Sequence, residues 1–143
     1  MGLQDGSPTK ELVEQNAKDI DSDFVDTMKK KVGGLNASVL FTTYPEKDGY
    51  YNSSVFVNSS GEILGVYNKV HLFNAFDYKE SEVFCPEEEV VTFDWSGLRI
   101  GLATCFDLRF LELFRIMSFM DTDLVLVPSG FYSGPYKAKR RGL

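Results

Sequence analysis

Between Leu98 and Pro128 the chain runs apolar strand, helix, apolar strand, and that order narrows the possible folds more than any other stretch. Leu98 to Thr104 and Leu124 to Val127 are the apolar segments, Pro128 ends the second, and roughly Asp107 to Met120 reads as the helix between them. No such element can bury its apolar face alone, so the three are expected to pack as an α/β layer. Two further stretches pair differently. Val55-Phe56-Val57 and Ile63 to Tyr67 flank Asn58-Ser59-Ser60-Gly61, a hairpin signature with glycine at a left-handed position. Val90 to Phe93 and Leu98 to Thr104 flank Trp95-Ser96-Gly97 and give a second strand pair. Ser38 to Thr43 adds a β-branched strand before the turn at Pro45 to Gly49. Hairpins combined with a strand–helix–strand unit predict a mixed sheet.

Before residue 34 the period is helical. Val13, Ala17, Ile20, Phe24 and Met28 recur at three- and four-residue steps and form one apolar stripe. Ser7-Pro8 offers a cap followed by a first-turn proline, Gly33-Gly34 a stop, and Asp21 to Asp23 a break that would split the stretch into two helices. Residues 74–88 read as irregular and acidic. At 143 residues and 43% hydrophobic content the chain holds one domain with a real core. Its net charge of −6 argues against a nucleic-acid partner, whose footprint is a basic stripe. The cluster Lys137, Lys139, Arg140 and Arg141 lies at the chain end and reads as solvated. No apolar run approaches the roughly 18 residues of a membrane helix, so no membrane partner is expected. Met1 to Thr9 has no signal-peptide core, and the expected location is cytoplasmic. Cys85 and Cys105 have no CxxC spacing and no nearby histidine pair, so neither a zinc site nor a disulfide scaffold is expected. The Asn-x-Ser sequons at Asn36, Asn52 and Asn58 read as chance matches.

The chemistry-bearing stretch is Arg99 to Phe110, where an apolar strand runs into Cys105 and a helix is expected within two residues. A thiol at a helix N-terminus faces unpaired N–H groups that favour thiolate and can hold an oxyanion. A free cysteine also commonly fills a core, and position alone leaves both readings open. Cys85, in the acidic segment, lacks that setting. Lys69 follows an apolar strand, where a buried ammonium needs a carboxylate or thiolate beside it, although a strand-end lysine can also snorkel to solvent. Glu80 is one acid among several between Asp77 and Glu89.

Gly101-Leu-Ala-Thr-Cys-Phe-Asp-Leu-Arg-Phe-Leu-Glu-Leu113 resembles the cysteine motif of the nitrilase superfamily, in the branch that contains amidases. Gly61-Glu-Ile-Leu-Gly-Val-Tyr-Asn-Lys-Val-His-Leu-Phe73 resembles that family's lysine motif, and Asp123-Leu-Val-Leu-Val-Pro-Ser-Gly-Phe131 the strand and loop after the cysteine helix. The resemblance covers about residues 36–137. It implies part of a nitrilase-type α-β-β-α sandwich and a carbon–nitrogen hydrolase acting on a small amide or nitrile. By it, Cys105 attacks the C–N carbon and forms a thioester, while Lys69 and the backbone N–H of Phe106 hold the oxyanion. Glu80, in Tyr78-Lys-Glu-Ser81, matches a second glutamate that orients the lysine or assists proton transfer. Arg109 would pair with a substrate carboxylate, or brace Asp107 or Glu112, and Phe131 and Tyr132 would line the pocket. No metal and no organic cofactor is implied, because thiolate, ammonium and carboxylate suffice for the chemistry. A full domain of this kind is expected to form a homo-oligomer through helical faces.

The match has gaps. The family's general-base glutamate ends an early strand that precedes the helix corresponding to residues 8–33, and this chain begins at that helix. Glu46, in Tyr44-Pro45-Glu46, falls where the family has a surface turn and is not assigned as the base. By resemblance, residues 1–143 are a single partial domain without the glutamate strand and the C-terminal part, and the isolated piece should be unstable or aggregate. Leu111 stands where proline is common in the family. The alternative to a hydrolase is therefore an inactive fragment or scaffold that associates with intact homologues.

Overall fold

The computed structural model describes residues 9–17, 20, 22–75 and 78–130. The Ser7-Pro8 cap, the basic cluster, Phe131 and Tyr132 lie outside them. Helix α1 (Lys10–Asn16) starts at Thr9, whose hydroxyl accepts from the Leu12 N–H at 3.2 Å. Helix α2 (Asp23–Gly33) ends at the expected glycines, with acids in its first turn and lysines in its last, as the helix dipole favours. The apolar stripe does not run straight through both. In α2 the buried residues are Val25 and Val32, whereas Phe24 is 44% exposed and leans edge-on against Phe41. The break between the helices resets the phase of the second.

Strands β1 (Val39–Thr43), β2 (Ser53–Val57) and β3 (Ile63–Asn68) form an antiparallel sheet in that order. Gly61 takes the expected left-handed conformation (φ +82°) in the β2–β3 turn. Every residue of β2 is buried because both its faces are covered. Val55 and Val57 pack with Val32 of α2, while Phe56 packs with Tyr67 and with Leu102 of the second sheet. That alternation is the period of two expected of a strand.

After β3 come two short strands, β4 (Asn74–Ala75) and β5 (Tyr78–Lys79), and a 3-10 turn, Glu80–Glu82. The second sheet holds β6 (Thr92–Trp95), β7 (Leu98–Leu102) and β8 (Leu124–Leu126) in that order. β6 pairs with β7 antiparallel and β7 with β8 parallel, so this sheet is mixed. The inner faces of the two sheets meet at Gly65, where an added Cβ would lie 2.6 Å from the Phe93 ring. Helix α3 (Leu111–Phe119) covers the far side by packing Leu113 and Met117 against Ala103. The layers run α2, sheet, sheet, α3.

The helix expected from Asp107 to Met120 is in fact two pieces. A 3-10 turn spans Cys105–Arg109, Phe110 is extended (φ −114°, ψ 95°), and α3 begins only at Leu111. The cause is local: the Asp107 carboxylate folds back on the Thr104 N–H and closes the first turn as a capping box. Among the described residues no helix is long and apolar enough to cross a membrane.

Candidate active site

The polar groups gather at one edge of the sandwich, where β2 begins and β3 and β7 end. Tyr67 lies on the inner face of β3, and Lys69, two residues on, continues that alternation one strand repeat (about 6–7 Å) away. The Lys69 N–H donates to the Asn52 carbonyl at 2.9 Å and so extends the β2–β3 pairing. Its side chain is only 2% exposed, and Nζ lies 2.6 Å from Glu80 Oε2. The same oxygen accepts the Phe73 N–H at 2.6 Å, and Glu80 Oε1 accepts Asn52 Nδ2 at 3.1 Å. Glu80 is thus the acid that its 3-10 turn aims inward, and it is 6% exposed in a run where Ser81 and Glu82 stay outside. A buried carboxylate bound by an ammonium and two further donors has its desolvation largely offset.

Cys105 opens the 3-10 turn that follows β7. Its backbone is left-handed (φ +47°), a conformation that costs a non-glycine residue on the order of 1–3 kcal/mol. Three contacts hold it there. The Cys105 N–H donates to the Pro128 carbonyl at 3.0 Å, the Thr104 and Ser54 hydroxyls meet at 2.8 Å across the two sheets, and Ala103 N–H donates to Leu126 O at 3.2 Å. The half-buried thiol has Sγ 4.0 Å from the Gly130 carbonyl oxygen. The Phe106 N–H makes no hydrogen bond to another described residue, whereas the Cys105 N–H is taken.

The hub of the site is a residue whose own role the sequence did not reveal. Asp107 is fully buried and accepts four hydrogen bonds. Tyr67 Oη (2.7 Å) and Thr104 N–H (2.8 Å) reach Oδ2; the His71 N–H (3.0 Å) and ring Nδ1 (2.8 Å) reach Oδ1. Burial, then the adjacent Asp107 charge, push the Tyr67 hydroxyl far above the usual phenol range, so it stays a donor. Asp107 therefore ties the cysteine turn to the Tyr67–His71 segment that carries Lys69. One signal for it was available: Thr104 and Asp107 have capping-box spacing.

Arg109 is exposed and forms no ion pair among the described residues, so it does not brace Asp107, whose oxygens are already filled. Glu46 is exposed in a turn, bridged to Tyr50. It lines an open cavity of about 360 Å³ together with Ile20, Tyr51, Val66 and Asn68. Val66 and Asn68 alternate with Tyr67 and Lys69, which puts Glu46 on the helix side of the first sheet, away from the lysine. Among the described residues no group of three His, Cys, Asp or Glu side chains is arranged to hold a metal.

This sandwich, with a thiol on a strained strand-to-turn junction and a buried lysine–glutamate pair, defines a class. The sequence pattern of the carbon-nitrogen hydrolase family matches residues 9–141, and the chain belongs to that family. It is 33% identical to an omega-amidase of Saccharomyces cerevisiae over 92 residues, which are 61% of this chain and 32% of that protein. A human omega-amidase is 33% identical over 94 residues (61% and 34%), and a citrullinase of Francisella tularensis 29% over 123 residues (84% and 43%). The chain thus spans a third to under a half of the length of these relatives. The solved structure of a Saccharomyces cerevisiae member of branch 10 of the nitrilase superfamily superposes with a TM-score of 0.75 at 23% identity, over 87% of this chain and 47% of that one. An amidase variant from Nesterenkonia sp. AN1, with the acetamide moiety of fluoroacetamide added covalently at its active-site cysteine, gives 0.68 at 22% identity over 85% and 43%.

Proposed function

We propose that the chain carries the nucleophile and oxyanion machinery of an amidase-type carbon–nitrogen hydrolase acting on small amides. The observation that carries this reading is the left-handed Cys105 joined, through Asp107 and Tyr67, to the strand whose end holds the buried Lys69–Glu80 pair. Cys105 sulfur attacks the amide carbon, and the carbonyl π electrons move onto oxygen beside the Lys69 ammonium and the Phe106 N–H. The tetrahedral adduct collapses, the C–N bond breaks, and nitrogen leaves as ammonia with the proton the thiol gave up. Water then cleaves the thioester, returning the thiol and releasing the carboxylic acid. Glu80 fixes the lysine, and in this reading it also assists proton transfer beside it. Relatives named as omega-amidases support an amide over a nitrile.

The test is ammonia release from a panel of small amides and nitriles, with the chain beside its Cys105→Ala variant. Turnover on amides that vanishes with the substitution is the expected result, and it would mean that an acid within these residues, such as Glu80, serves in place of the family's general-base glutamate. Turnover that survives Cys105→Ala contradicts the assignment. An inactive chain whose Cys105 still forms a covalent adduct with fluoroacetamide would favour the scaffold alternative.

A further inference from the structure

We propose that His71 is a positioning residue for Cys105, acting through Asp107 and Phe110 to fix the turn that presents the thiol. The inference rests on Cys105 being the nucleophile. His71 is the single histidine of the chain. Its ring donates from Nδ1 to Asp107 Oδ1 at 2.8 Å, because a carboxylate only accepts. The same ring lies flat on Phe110, centroids 3.7 Å apart and planes within 7°. Asp107 is the middle of the Cys105–Arg109 turn and Phe110 directly follows it, so one imidazole touches the turn at its centre and its end. The other donors to Asp107 are two backbone N–H groups and the fully buried Tyr67, while the His71 side chain is 25% exposed. Nδ1 is accordingly the one side-chain donor that a substitution can remove at a partly open position. With that bond lost, Asp107 is held less firmly, and the left-handed backbone at Cys105 is free to relax.

Three substitutions separate the parts. His71→Asn places an amide N–H close to the Nδ1 position, His71→Gln carries its amide one carbon too far out, and His71→Phe keeps the stacking but has no donor. The readout is the rate at which iodoacetamide alkylates Cys105, measured by peptide mass spectrometry with Cys85 as the internal standard. Far-UV circular dichroism checks the fold. His71→Gln and His71→Phe are expected to slow Cys105 by about tenfold or more with Cys85 unchanged, as misplacement near 1 Å can do. His71→Asn should restore most of the rate. If His71→Phe fails to fold, the Asn and Gln pair decides alone. Equal Cys105 rates in His71→Asn and His71→Gln, or a parallel slowing of both cysteines, overturns the proposal. Wild-type Cys105 reacting no faster than Cys85 instead sinks the nucleophile reading beneath it.

Discussion

The two cysteines are both half-buried, yet their surroundings differ in kind. Cys85 follows the Glu80–Glu82 turn, its N–H donates to the Tyr50 carbonyl at 2.7 Å, and its sulfur fills the space above Gly49. Packing explains it fully. Cys105 is held in a left-handed backbone by bonds from β8, β2 and the Asp107 hub, and packing requires none of them. Exposure does not set the two thiols apart; anchoring does. A strained backbone persists only where its surroundings over-determine it, and here they do so around one thiol.

The largest effect should come from Asp107→Ala. It leaves the Tyr67 hydroxyl and the Thr104 and His71 N–H groups without their partner, at about 1–3 kcal/mol each when buried. Denaturant unfolding should show a loss of roughly 3–6 kcal/mol at the exceptional end for one substitution, and Cys105 should lose its rate advantage over Cys85. Retained stability would mean the hub is not what anchors Cys105. Lys69→Ala comes next: breaking a buried pair costs about 3–5 kcal/mol, here lessened because Asn52 and the Phe73 N–H still bind Glu80. Activity should be lost while Cys105 can still be labelled in whatever folded protein remains.

Gly49→Ala probes the other region. Its Cβ would come within 2.5 Å of the Cys85 sulfur, so overpacking of about 1–3 kcal/mol is expected, with Cys105 labelling unchanged. A change at Cys105 would show that the two regions are coupled.

The smallest effect is at alkaline pH. The hydrogen bond to Asp48, with burial, pushes Tyr51 up to about 12, and burial beside Asp107 raises Tyr67 further. Both favour the protonated folded state, so their stabilisation is complete below pH 10 and is lost as pH rises from about 10 through the folded-state values. Absorbance at 295 nm should show these two phenols ionising last. Tyr51→Phe should remove part of the alkaline loss without affecting Cys105, whereas Tyr67→Phe should affect both.

Much of the fold was legible because it is periodic. The β2–β3 hairpin with Gly61, the β6–β7 pair and the parallel β8 all follow from apolar spacing and turn residues. Lys69 and Cys105 stood out through the motifs around them. What was not legible depends on contacts between distant segments. Nothing near Asp107 announces that Tyr67 and His71, 40 and 36 residues away, will converge on it. Without the resemblance, Glu80 looked like its acidic neighbours, because only the 3-10 turn decides which acid points inward. Phase across the α1–α2 break, which exposes Phe24 and buries Val25, was likewise set by docking and not by the stripe.

The central claim is that anchoring makes Cys105 the reactive thiol of a carbon–nitrogen hydrolase site. Treating the folded chain with fluoroacetamide and mapping the adduct by peptide mass spectrometry tests it most directly. The account predicts an acetamide adduct on Cys105 and none on Cys85, abolished in unfolded protein. Equal labelling of both cysteines in folded protein, or labelling of Cys85 alone, would contradict it.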